Sequence, residues 1–110
     1  MPAHAISLKK LERFEEAKSL LRKTIPVARR ILGFGHDHML RMRWVYASAL
    51  YKDSNATLDD LREAVTSLED TERTARRVLG GAHPSTMGIG AALREARAAL
   101  RARETPPTNA

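Results

Sequence analysis

Two short stretches hold most of the residue types that could do chemistry. "GFGHDH" at Gly33 to His38 sets two histidines around an aspartate, and "LGGAHPST" at Leu79 to Thr86 follows two glycines with a histidine, a proline and two hydroxyls. Metal binding through His36, Asp37 and His38 would need a further ligand brought from elsewhere, and transition-metal sites are normally anchored by three or four protein groups. A phosphate-cradling loop would need the lysine and preceding strand of a P-loop, and "LGGAHPST" has neither. Ser85 and His83 could pair as nucleophile and base, but no Asp or Asn is placed to orient the imidazole. The residues point away from an enzyme, a metal centre and a cofactor.

The same stretches gain meaning from a repeat. "RRILGFGH" at Arg29 to His36 returns as "RRVLGGAH" at Arg76 to His83, 47 residues on, and the match extends backward over Leu11 to His36 against Leu58 to His83 with eleven identities. Among them are Glu16 with Glu63, Ala17 with Ala64, Leu21 with Leu68, Ala28 with Ala75 and His36 with His83. A loop used twice at a fixed period reads as punctuation between elements. In the second copy Leu61, Ala64, Val65, Leu68, Ala75, Val78 and Leu79 recur at helical spacing behind a T-x-x-D start signal, Thr57 and Asp60. Arg76 and Arg77 suit the carbonyl end of that helix, Gly80 supplies a left-handed closing residue, and Pro84 suits the first turn of the next.

These signals predict four helices, Lys9 to Leu32, Asp37 to Lys52, Leu58 to Leu79 and Pro84 to Arg103, with short turns and therefore antiparallel neighbours. Residues 1–7 are expected to form an N-terminal arm, 8–103 the helical domain and 104–110 a disordered tail. Pro26 predicts a kink or a break near Ile25. Gly88 and Gly90 each weaken the fourth helix by about 1 kcal/mol relative to alanine.

Composition narrows the class. At 110 residues the chain has room for one domain, and it has no cysteine, so packing rather than disulfides or thiolate metal sites must hold it. No apolar run approaches the roughly 18 residues of a membrane span, and a cytoplasmic or nuclear place follows by default. The net charge of +6, with 14 Arg against 5 Lys, permits an acidic partner: an acidic peptide or, as the alternative, nucleic acid.

The stretch "HDHMLRMRWVYASALY", followed by a loop and "LDDLREAVTSLEDTERTARRVLGGAHPST", resembles a tetratricopeptide repeat of the kinesin-light-chain type, whose extended second helix ends in L-G-x-x-H-P. The resemblance covers about Leu11 to Leu100. It aligns Tyr46, Ala47 and Leu50 with packing positions of a first helix and Leu61, Ala64 and Leu68 with those of a second, with Thr71 where the family has a small alanine. The turn at "DSNAT" is about five residues longer than usual, and "MPAHAIS" is too short to supply a first helix before the first copy. The implied fold is all-α, a short α-solenoid of about four helices in antiparallel helix-turn-helix repeats. The implied function is a protein-interaction scaffold with no enzyme activity.

Three expectations follow. Arg41, Trp44, Ser48, Tyr51 and Lys52 fall on one stripe of the second helix, which the resemblance puts on the concave face as a peptide-binding surface, aromatic anchors between basic ends. Arg94, Arg97 and Arg101 make the fourth helix a solvated cap whose other side, Ile89, Leu93, Ala96 and Leu100, packs on the third. Phe14, Ala17 and Leu21, left without a partner helix, form an apolar strip suited to a weak homodimer.

Overall fold

The structure, a computed structural model, describes the backbone of residues 3–33 and 35–104 and the side chains of residues 13–33 and 35–104. Those residues form four helices: α1 (Ala3–Leu32), α2 (Asp37–Lys52), α3 (Leu58–Val78) and α4 (Pro84–Glu104). α1 begins six residues before the expected Lys9, so residues 3–7 are helical. It also runs through Pro26 without a break. Pro26 lies exposed, and the one hydrogen bond it forfeits is outweighed by the turns on either side. The tail expected at 104–110 falls, apart from the helical Glu104, outside the described residues.

Each helix packs on the next, and α2 also touches α4. That last contact is what an antiparallel solenoid produces, because alternate helices come side by side when helix pairs stack. Leu40, Leu50, Leu68 and Ile89 are fully buried where α2, α3 and α4 converge. Ile89, Leu93 and Ala96 turn inward while Arg94, Arg97 and Arg101 stay exposed. This is the two-sided fourth helix that its pattern predicts. No helix among the described residues is long and apolar enough to cross a membrane.

The 47-residue repeat holds down to single hydrogen bonds. Gly33 and Gly80 both take positive φ, 83° and 92°, the left-handed conformation that glycine adopts without a Cβ penalty. Their N–H groups donate to Arg29 O and Arg76 O, each at 3.1 Å. Thr24 and Thr71 donate to the carbonyl four residues back, at 2.8 and 2.7 Å. The histidines are the informative pair. His36 Nδ1 accepts from the N–H of His38 at 3.2 Å, and His83 Nδ1 accepts from the N–H of Ser85 at 3.0 Å. Both therefore cap the helix that follows, so the first-copy cap is His36 and Asp37 is the first helical residue. α3 starts on the reciprocal Thr57–Asp60 capping box that its sequence predicts.

His83→Ala is accordingly expected to lower stability by about 1 kcal/mol, and His83→Asn, which restores a short side-chain acceptor, to recover most of it. Urea unfolding followed by circular dichroism checks this. Equal loss in both variants would mean the ring is needed for something other than the cap.

Candidate functional site

The five residues expected to bind a peptide share the side of α2 that adjoins α4, but they divide into two kinds. Trp44 and Tyr51 are half-buried and pack against the core. The Trp44 indole rests on Gly88 of α4: a Cβ there would fall 2.7 Å from Trp44 Cζ2 and closer still to Cη2. Tyr51 donates its hydroxyl hydrogen bond to Glu95 Oε2 at 2.7 Å. Burial, and then that bond to a carboxylate, push the Tyr51 phenol pKa up. Ser48 is half-buried between them. Arg41 and Lys52 are exposed at the two ends: Arg41 Nε lies 3.7 Å from Asp37 Oδ2, one turn back, and Lys52 Nζ lies 6.0 Å from the Tyr51 ring centroid. Two aromatic side chains held in place by α4 thus stand between two solvated cations.

Gly88 is the residue whose role the sequence hides. A glycine inside a helix signals either tolerated weakness or a close approach, and here it is a close approach. Gly88→Ala gains helix propensity but sets a methyl 2.7 Å from Trp44 Cζ2, so the half-buried indole must shift. The expected result is a net loss of about 1 to 2 kcal/mol and a shift in the emission of Trp44, the chain's one tryptophan. Unchanged emission with raised stability would show that the indole does not sit there.

Three polar links that the sequence does not announce fix this face to the rest of the chain. Tyr46 donates to Glu63 Oε2 at 2.6 Å and accepts from Arg22 Nε at 3.1 Å, which ties α2 to α3 and α1. Lys18, buried on α1, reaches Asp53 Oδ2 at 3.4 Å and Glu15 Oε1 at 2.8 Å. Asp53 Oδ1 in turn accepts from the Asn55 N–H at 2.9 Å, and Arg103 donates to Ala56 O. The long turn at residues 53–57 is therefore pinned by α1 from one side and α4 from the other.

The other residues considered for chemistry are placed differently. His36 and His38 stack with ring centroids 5.4 Å apart, and His36 Nδ1 is taken by its cap. Among the described residues no three His, Cys, Asp or Glu side chains gather as a metal site would require. His83 Nδ1 faces the Ser85 backbone N–H, not a reacting hydroxyl. The arginine-rich edge of α3 and α4 carries its own counter-charges: Arg97 lies 3.2 Å from Glu69, Arg76 3.4 Å from Glu72 and Arg73 3.1 Å from Asp70. Phe14, Ala17 and Leu21 are half-buried rather than open, and Leu21 packs against the core.

Residues 5–38, which span most of α1, its closing turn and the first residues of α2, match the family model of the tetratricopeptide repeat. The match falls on the first copy of the internal repeat, and with the four-helix architecture it supports a protein of tetratricopeptide type. Repeats of that family mediate protein–protein interaction. No curated protein and no solved structure matches the chain.

Proposed function

We propose that the chain is an interaction module that binds a peptide segment of a partner protein, acidic in character and carrying an apolar side chain, along the α2 face that adjoins α4. In this reading Trp44 and Tyr51 supply rigid contact area, Ser48 a hydrogen-bonding group between them, and Arg41 and Lys52 the charges that steer and orient the acidic segment. The observation that carries it is the pair of half-buried aromatics held by Gly88 and Glu95 between two exposed cations. Rings already fixed by neighbours lose little freedom on binding, which favours affinity. The kinesin-light-chain-like subtype suggested by L-G-x-x-H-P belongs to the same proposal, as does a cytoplasmic place of action. No cofactor enters it. The nucleic-acid alternative draws little support from the α3–α4 edge, where Arg73, Arg76 and Arg97 are matched by Asp70, Glu72 and Glu69.

An array of acidic peptides with one apolar position tests the reading. The native chain is expected to retain a subset that Arg41→Glu combined with Lys52→Glu binds about tenfold or more weakly. Full retention by the double variant, with helix content intact, would remove this face as the site. Binding of oligonucleotides that collapses steeply with salt, with no peptide retained, would favour the alternative.

A further inference from the structure

The outer side of α1 carries an apolar stripe that no described residue covers. Leu20, Val27 and Ile31 recur at i, i+7 and i+11, one line along the helix, and are 65%, 47% and 76% exposed. The repeat shows how unusual this is. Forty-seven residues on, α3 places Ser67, Thr74 and Val78 at the same positions. There Ser67 is half-buried, Thr74 is buried, and Val78, 49% exposed against 76% for Ile31, has its Cγ2 3.1 Å from where a Cβ on Gly35 would lie. The copy that is more exposed is also the more apolar, the reverse of what a solvated face requires.

Charge selects the cover. Glu16, Lys23 and Arg30 run along one flank of the stripe at seven-residue intervals, all exposed and none in an ion pair among the described residues. The flank is acidic toward the N-terminus and basic toward the C-terminus. A second α1 laid antiparallel, about a two-fold axis between Lys23 and Thr24, sets Leu20 against the copy's Val27. The same operation brings Glu16 beside the copy's Arg30, and two-fold symmetry makes each contact twice. A parallel arrangement would put this flank on opposite sides of the seam in the two copies, so Glu16 and Arg30 would find no such partner.

We propose that this face is covered by a second copy of the chain, α1 against α1 in antiparallel register through Leu20, Val27 and Ile31, flanked by reciprocal Glu16–Arg30 pairs. Leu20 and Leu21 point about 100° apart around the helix, so this contact is distinct from the Phe14–Ala17–Leu21 strip, which the structure half-buries. Three apolar side chains per copy make a small interface, and the dimer is a weak one. Lys23 meets its own copy at the centre, so Lys23→Ala should tighten it.

Sedimentation equilibrium of the full chain over about a hundredfold range of concentration reads the outcome, with circular dichroism confirming the helices of each variant. The expected result is a concentration-dependent dimer that Val27→Glu weakens by about tenfold or more. Glu16→Lys and Arg30→Glu are each expected to weaken it, and the two together to restore it, because the exchanged charges pair again. A chain that stays monomeric throughout overturns the proposal and leaves the stripe to a helix of another protein. A dimer indifferent to Val27→Glu overturns it in favour of another face, and a dimer that the double charge exchange fails to restore overturns the antiparallel register.

Discussion

Leu68→Ala is expected to lower the stability of the chain by about 3 kcal/mol, while Leu21→Ala, at the equivalent position of the repeat, lowers it by only about 1 kcal/mol. Leu68 is fully buried in the core cluster that α2, α3 and α4 form, so its deletion removes the transfer free energy of the lost carbons and leaves a cavity in that cluster. Leu21 touches the same core from α1 but is only half-buried, because α1 packs on α2 alone whereas α3 has α2 on one side and α4 on the other. Identical residues at identical places in two copies thus report how many helices surround each copy. Chemical unfolding of both variants checks the ratio. Equal losses would mean that α1 is covered as fully as α3, contrary to the packing described.

Lys18→Ala is expected to cost a comparable amount, about 3 kcal/mol, because it leaves the Asp53 carboxylate buried with the Asn55 N–H as its one remaining donor among the described residues. Lys18→Met combined with Asp53→Asn removes both charges and should recover most of that loss. Burial pushes the Lys18 ammonium pKa down, but the hydrogen bonds and charges of Glu15 and Asp53 outweigh it, and the value lies above the ordinary 10.5. The stabilisation from this group is therefore complete below pH 10.5 and lost as pH rises through the higher folded value. Tyr46 acts in the same direction: burial and then its hydrogen bond to Glu63 raise the phenol above its ordinary 10.0, against the opposing pull of Arg22. Stability should hold to about pH 10 and decline beyond it. In a pH series of unfolding curves, Lys18→Met and Tyr46→Phe should each flatten that decline. Two variants as steep as the native chain would place the alkaline sensitivity elsewhere.

Apart from the start of α1 and its passage through Pro26, the helices and their ends were legible because their signals are local. Gly80, Pro84, Thr57 and Asp60 act within a turn of where they stand, and a repeat doubled every one of those signals that recurred in it. The inward side of α4 was equally legible, since Ile89, Leu93 and Ala96 follow one helical stripe. What stayed hidden depends on contacts across the sequence. Gly88 looked like a weak helix position, and nothing near it in the chain indicates that Trp44, 44 residues earlier, rests on it. Lys18 and Asp53 each look like ordinary solvated charges until the fold buries them together. The two histidines looked like turn residues, and only the geometry shows each ring accepting a backbone N–H. On α1 the sequence predicts the apolar strip one residue away from where it lies open, at Leu21 rather than Leu20, because a strand of hydrophobic residues on both sides of a helix does not say which side its neighbours cover. The stripe on α2 is read from spacing, and the division between its anchored aromatics and its exposed cations comes only from α4.

The binding face is the central claim, and Trp44 offers a direct probe of it because the chain has no other tryptophan. Tryptophan emission is to be followed while an acidic peptide retained by the array is titrated into the native chain and into the Arg41→Glu, Lys52→Glu variant. The account predicts a saturable change in emission for the native chain, and an affinity about tenfold or more lower for the variant, whose helix content is unchanged. Peptide binding that leaves Trp44 emission untouched and is equally tight in both proteins would contradict it, and would place the partner on a surface other than the seam between α2 and α4.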